Sequence, residues 1–186
     1  MVILFWRRVD VLGVERLALT FSPDGIAADA TVVCLEDGGF EVRHRWRLTR
    51  DWRTQSLDVE RWGADGRRRL EIARSANGWL VDGAPRPDLD GAEEPDLSVT
   101  PFCNAFPIRR LSGEIGASLT LDTCFVDAAA MTVERSRQRY DRLGPHRVRY
   151  VDLGVSAGFE ADLEIDDDGL VIWYEHLFER VVPYTA

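Results

Sequence analysis

The nine residues Phe40-Glu41-Val42-Arg43-His44-Arg45-Trp46-Arg47-Leu48 decide the fold class. Phe40, Val42, His44, Trp46 and Leu48 fall on one side of a two-residue period, and Glu41, Arg43, Arg45 and Arg47 on the other. Side chains alternate across an extended strand, so this pattern predicts a β-strand with one buried and one wet face. Working outward, Glu15 to Phe21 and Ile26 to Leu35 read as strands. They are separated by the turn Ser22-Pro23-Asp24-Gly25 and followed by the turn Glu36-Asp37-Gly38-Gly39. Downstream, Arg53 to Trp62, Leu70 to Ile72 and Trp79 to Val81 repeat the theme, with Ala64-Asp65-Gly66 and Ser75-Ala76-Asn77-Gly78 between them. Short strands punctuated by Gly, Asp and Asn at intervals of about a dozen residues predict an all-β, mainly antiparallel domain.

The rhythm breaks between Asp82 and Pro107, where Pro85, Pro87, Pro95, Pro101 and Pro107 stand among Asp88, Asp90, Glu93, Glu94 and Asp96. Proline lacks the N–H that a central strand must donate. The segment therefore reads as a proline-rich central crossover or lid, and Leu89, Leu97, Val99, Phe102, Phe106 and Ile108 favour an ordered, packed one. Strands resume at Ala117 to Val126, Met131 to Tyr140, Arg147 to Leu153, Phe159 to Ile165 and Leu170 to Tyr174. The expected organisation is a single domain over 1–186, with β halves at 1–84 and 108–186 joined by 85–107. Val42-Arg43-His44-Arg45-Trp46 is faintly echoed by Val148-Arg149-Tyr150, but the following spacings differ, short of a clear repeat.

The chain has 186 residues, 23 basic and 32 acidic side chains and a formal charge of −9. That balance argues against a general nucleic-acid binder. At 45% hydrophobic it can bury a core. No apolar run approaches the roughly 20 residues of a membrane span. The opening Met1-Val2-Ile3-Leu4-Phe5-Trp6-Arg7-Arg8 has its arginines after a short apolar stretch, the reverse of a secretory signal. Cys34, Cys103 and Cys124 are odd in number and without a Cys-x-x-Cys pair. Buried reduced thiols and a cytoplasmic location are expected. Every basic residue is arginine, so a ligand meeting this surface meets guanidinium, which pairs with carboxylate or phosphate.

The most unusual stretch is Thr100-Pro101-Phe102-Cys103-Asn104-Ala105-Phe106-Pro107-Ile108-Arg109-Arg110-Leu111. Its prolines brace the backbone, leaving Asn104 on a rigid loop and Arg109-Arg110 at an expected strand start. There one arginine would face a pocket and the other the acidic stretch. The pair reads either as a clamp for an anionic or polar head, or as a neutraliser of Asp88, Asp90 or Asp96. Trp46, Trp52, Trp62, Trp79 and Trp173 lie in or beside strands and suit a ligand pocket or an ordinary core. Asp51 and Glu114 are the carboxylates available for acid–base work, though no spacing demands it. His44, His146 and His176 have no metal-ligand spacing, and no cofactor motif is present. Asp166-Asp167-Asp168-Gly169 reads as a hairpin turn, because position 12 of a calcium loop would fall on Leu177.

The Thr100–Leu111 stretch resembles the signature of a bacterial family known as putative glycolipid-binding proteins, Thr-Pro-Phe-x-Asn-x-x-Pro-Ile-Arg-Arg-Leu. Gly78 to Gly83, Asp88 to Gly91, Asp96-Leu97, Asp51-Trp52, Gln138-x-Tyr140 and Gly158-Phe159 to Tyr174 are similar to its other blocks. Cys103 and Ala105 stand where threonine is usual, and Ala92 where cysteine is expected. The resemblance implies a curved sheet, a half-barrel or β-roll similar to bacterial lipoprotein carriers. It also implies a non-catalytic protein for a glycolipid or other amphipathic small molecule. Apolar groups are then expected on the concave face near Trp52, Trp79 and Tyr140, with Asn104, Arg109 or Arg110, and Asp51 at the polar head. The rival expectations are a small-molecule enzyme acting on an anionic substrate, using Asp51 or Glu114, and a structural β module that dimerises.

Overall fold

The computed structural model describes residues 1–182. Eight strands form the first half: β1 (Val2–Arg8), β2 (Gly13–Ser22), β3 (Gly25–Cys34), β4 (Phe40–Leu48), β5 (Thr54–Gly63), β6 (Gly66–Ser75), β7 (Gly78–Val81) and β8 (Ala84–Pro85). The second half holds β9 (Ala92–Leu97), the helix α1 (Ala105–Arg110), β10 (Ser118–Asp127) and β11 (Thr132–Gly144). It continues through β12 (Arg147–Asp152), β13 (Glu160–Ile165), β14 (Val171–Tyr174) and β15 (Phe178–Arg180). All the strands belong to one open sheet in the order β8-β7-β6-β5-β4-β3-β2-β1-β15-β14-β13-β12-β11-β10-β9. Apart from β9, each half is an antiparallel meander, and the halves meet where β1 pairs with β15, Trp6 opposite Arg180. The all-β, curved, mainly antiparallel expectation holds. β4 buries Phe40, Val42, His44, Trp46 and Leu48, as its period requires.

The N-terminal residues, read above only against a signal peptide, form the strand at this seam. Leu4 and Trp6 point inward, and Trp6 Nε1 donates to Val171 O across the junction at 2.9 Å.

The proline-rich crossover holds more order than its prolines suggest. Pro95 sits inside β9, which is tolerated because β9 is an edge strand. The opposite edge, β8, carries Pro85. A proline on each edge removes a donor and blunts edge-to-edge pairing between copies. The edges approach each other as the sheet curls: Trp79 Nε1 on β7 donates to Ala92 O on β9 at 2.9 Å, and Glu94 accepts from Thr54 N of β5 at 2.9 Å. Side chains bridge the gap, and the ladder does not close.

β9 and β10 are the one parallel pair among the described strands. A parallel neighbour cannot be reached by a hairpin; the chain must cross a face of the sheet. That crossing carries α1, which seals the concave side. Phe102 and Phe106 pack edge-on to each other (5.3 Å), and Phe106 lies 5.2 Å from Trp46. Ile108 joins a second cluster with Leu121, Tyr140, Val148 and Leu163. Arg109 and Arg110 therefore occupy the last turn of this helix, not a strand start. The expected in-and-out alternation fails there, because a helix turns about 100° per residue.

Candidate functional site

The second half encloses a cavity of about 260 Å³ between β9, the loop into α1, β12, β14 and β15. The strand period places its main groups: Val148, Tyr150 and Asp152 share the inner face of β12. Asp152 Oδ2 accepts from the Tyr150 hydroxyl at 3.1 Å, and its Oδ1 from the backbone N–H of Gly154 (2.7 Å) and Ser156 (3.2 Å). Gly154 cannot be replaced cheaply here. A Cβ would lie 2.4 Å from Ser136 Oγ and 2.5 Å from Arg137 N.

Asp96 enters from β9. Its Oδ1 accepts from Cys103 Sγ at 3.0 Å, and its Oδ2 accepts from the Gln138 amide. The Tyr140 hydroxyl donates to Asn104 Oδ1 at 2.9 Å and lies 3.2 Å from Gln138 Oε1. Asn104 Nδ2 donates back to Pro101 O at 3.2 Å. Burial, and secondarily the neighbouring Asp152 charge, push the Asp96 carboxyl above its ordinary value. Burial likewise raises the Cys103 thiol and the Tyr140, Tyr150 and Tyr174 phenols, so all four are neutral donors near pH 7. Phe125, Tyr150, Phe159, Tyr174 and Phe178 are the aromatic part of the lining, with Tyr150 6.1 Å from Phe159 and 6.0 Å from Tyr174.

A second buried network holds the loop that carries Asn104. Trp46 Nε1 donates to His44 Nδ1 at 2.9 Å, so the imidazole proton sits on Nε2, which donates to Glu15 Oε1 at 3.1 Å. Thr100 Oγ1 donates to the same oxygen at 2.9 Å and accepts from Phe102 N at 3.2 Å. Thr100 thereby ties the signature stretch to β2 and β4. Among the described residues no three His, Cys, Asp or Glu side chains converge as a metal site.

The residues singled out in the sequence separate. Asn104 lines the cavity, and Tyr140 is buried directly behind it. Arg110 is bound to carboxylates, 3.1 Å from Glu94 and 3.3 Å from Glu93. Arg109 stacks on Trp52, its guanidinium 3.7 Å from the ring centroid, and donates to Asp168 O. Trp52 packs beside Phe102 and Phe106, and Trp79 lies in the core under Arg74. Neither arginine and neither indole is among the cavity's lining residues. Asp51 stands on an exposed turn, where the Thr49 hydroxyl holds its carboxyl below the ordinary range. Glu114 is exposed on a loop. All three cysteines are buried and unpaired.

Sequence reasoning overlooked Asp96 and Asp152 as site residues. Asp152 was detectable: the same period that buries Val148 and Tyr150 buries it, and an acid on an apolar face is informative. Asp96 lay in a stretch whose prolines hid a strand.

No curated protein matches the chain. A crystal structure of a DUF1089 family protein from Pseudomonas aeruginosa superposes with a TM-score of 0.79 at 31% identity, over 90% of this chain and 92% of that one. No helix among the described residues is long and apolar enough to cross a membrane. A family model described as "Putative glycolipid-binding" matches residues 3–180, and with that span and this neighbour the chain belongs to that family.

Proposed function

We propose that this protein binds an amphipathic small molecule by taking its polar headgroup into the cavity of Asp96, Asn104 and Asp152. The observation that carries the reading is the lining itself: carboxylate and amide oxygens beside five aromatic rings in a space of about 260 Å³. Pockets for whole drug-sized ligands start near about 300 Å³, so the space suits a headgroup rather than a lipid tail. Sugar hydroxyls would donate to Asp96, Asp152 and Asn104 while a ring face packs on Tyr150 or Phe159. The surface near Trp52 is occupied by Phe102 and Phe106 and Trp79 is buried in the core, so the apolar part of the ligand would leave past Phe125 and Leu177. Membership of the glycolipid-binding family supports the same class of ligand.

The test is native mass spectrometry after incubation with vesicles containing a monoglycosyl diacylglycerol. Wild type is expected to carry one lipid. Ser156→Trp, at an exposed position on the cavity lining, is expected to carry none. Equal loading of both proteins, or none of either, sinks the reading. An enzymatic alternative has one observation in its favour, the perturbed carboxyl of Asp96 beside Asp152. Recovery of the glycolipid intact after long incubation removes it.

A further inference from the structure

We propose that the headgroup taken by this cavity carries a protonated amine, as an amino sugar or a simple alkylammonium does, and not a phosphate, a carboxylate or an uncharged sugar. The inference rests on the headgroup reading above and specifies its chemistry. Among the described residues, the charged side chains lining the cavity are Asp96 and Asp152 alone, with no arginine or histidine, in a chain whose 23 basic residues are all arginine. Elsewhere those arginines pair freely with carboxylates, and buried Glu94 alone has Arg53, Arg74 and Arg110 within 4 Å. Asp96 and Asp152 have no cationic partner within that distance among the described residues.

Two acids left together without a counter-charge, one only 6% exposed, are costly to desolvate. A ligand ammonium would supply the missing charge, while an anion would meet repulsion from both. The rings point the same way. Tyr150, Phe159, Tyr174 and Phe178 border the same space, Tyr174 lying 6.0 Å from Tyr150 and 6.1 Å from Phe178. Aromatic faces beside carboxylates are the recognised setting for an alkylammonium. The net charge of −9 would also favour the approach of a cation.

The experiment is calorimetric titration of the full chain with four probes sharing one alkyl tail: octylammonium, octyl 2-amino-2-deoxyglucoside, octyl glucoside and octyl phosphate. The two amines are expected to bind about tenfold or more tighter than octyl glucoside, with octyl phosphate weakest. In Asp96→Asn the amine-to-glucoside affinity ratio is expected to fall about tenfold, with a cooperative melt showing that the variant is folded. Octyl glucoside binding as tightly as the amines, in a manner blocked by Ser156→Trp, overturns the amine inference and leaves the headgroup reading standing. Preferred binding of octyl phosphate overturns it too. If no probe binds, both readings fail.

Discussion

Asp96 shows how one side chain can be costly to the fold and useful to the site. Its carboxyl is held above the ordinary value of about 3.9 by burial and by Asp152. An acid raised in this way contributes its full stability below its unfolded pKa and loses it as pH climbs through the folded one. Wild type should therefore lose stability on this account between acid and neutral pH, and Asp96→Asn should not. The network can accept the change. Gln138 need only turn its amide to offer Oε1 to the new NH₂, and Nε2 then faces the Tyr140 oxygen. At pH 7 Asp96→Asn is expected to melt higher than wild type, by about 2–4 °C for each kcal/mol recovered, with the gap closing toward pH 4. Scanning fluorimetry at the two pH values checks this, and a lower melting point at pH 7 contradicts it. At this scale the sequence was half legible. Asn104 and Tyr140 stand at or behind the cavity, whereas Arg109 and Arg110 bind Trp52, Asp168 and Glu94. Which partner captures an arginine depends on contacts far along the chain, such as the 59 residues separating Arg109 from Asp168.

Among elements, α1 exerts influence out of proportion to its six residues. It is too short to be stable alone, so packing maintains it. Phe106 is 1% exposed and presents its edge to Trp46, while Ile108 belongs to the other cluster. Phe106→Ala is expected to cost about 3–5 kcal/mol, read as a lower denaturant midpoint with little change in slope. A loss under about 1 kcal/mol would mean the concave face does not depend on this plug. Periodicity announced β4 plainly because nine residues alternate without interruption. It could not announce α1, where Pro107 and a six-residue span leave no helical pattern to count. Nor could it announce β9, where Pro95 argues for edge placement only once the sheet order is known.

For the whole molecule, the decisive contact is the one between the first strand and the last. The antiparallel meanders follow from turn chemistry in the sequence, but nothing local says that residues 2–8 will lie against 178–180. Trp6 is fully buried there, and its indole N–H crosses to Val171. Trp6→Ala is expected to cost about 3–5 kcal/mol. Hydrogen exchange should show faster opening in β1, β14 and β15 together, because they share this seam. Faster exchange confined to β1 would argue that the halves are held by the concave packing alone.

That seam has a topological consequence. Val181 N still donates to Phe5 O at 2.9 Å, so the two ends of the described chain run side by side, while β8 and β9 are joined by a short link at 86–91 that is exposed at Pro87 and Asp88. A circular permutant closed by a brief hairpin between the old ends, and cut within that link, would run through the thirteen antiparallel steps of the sheet in nearly continuous succession. Only β9, beside β10, would still need its helical overpass.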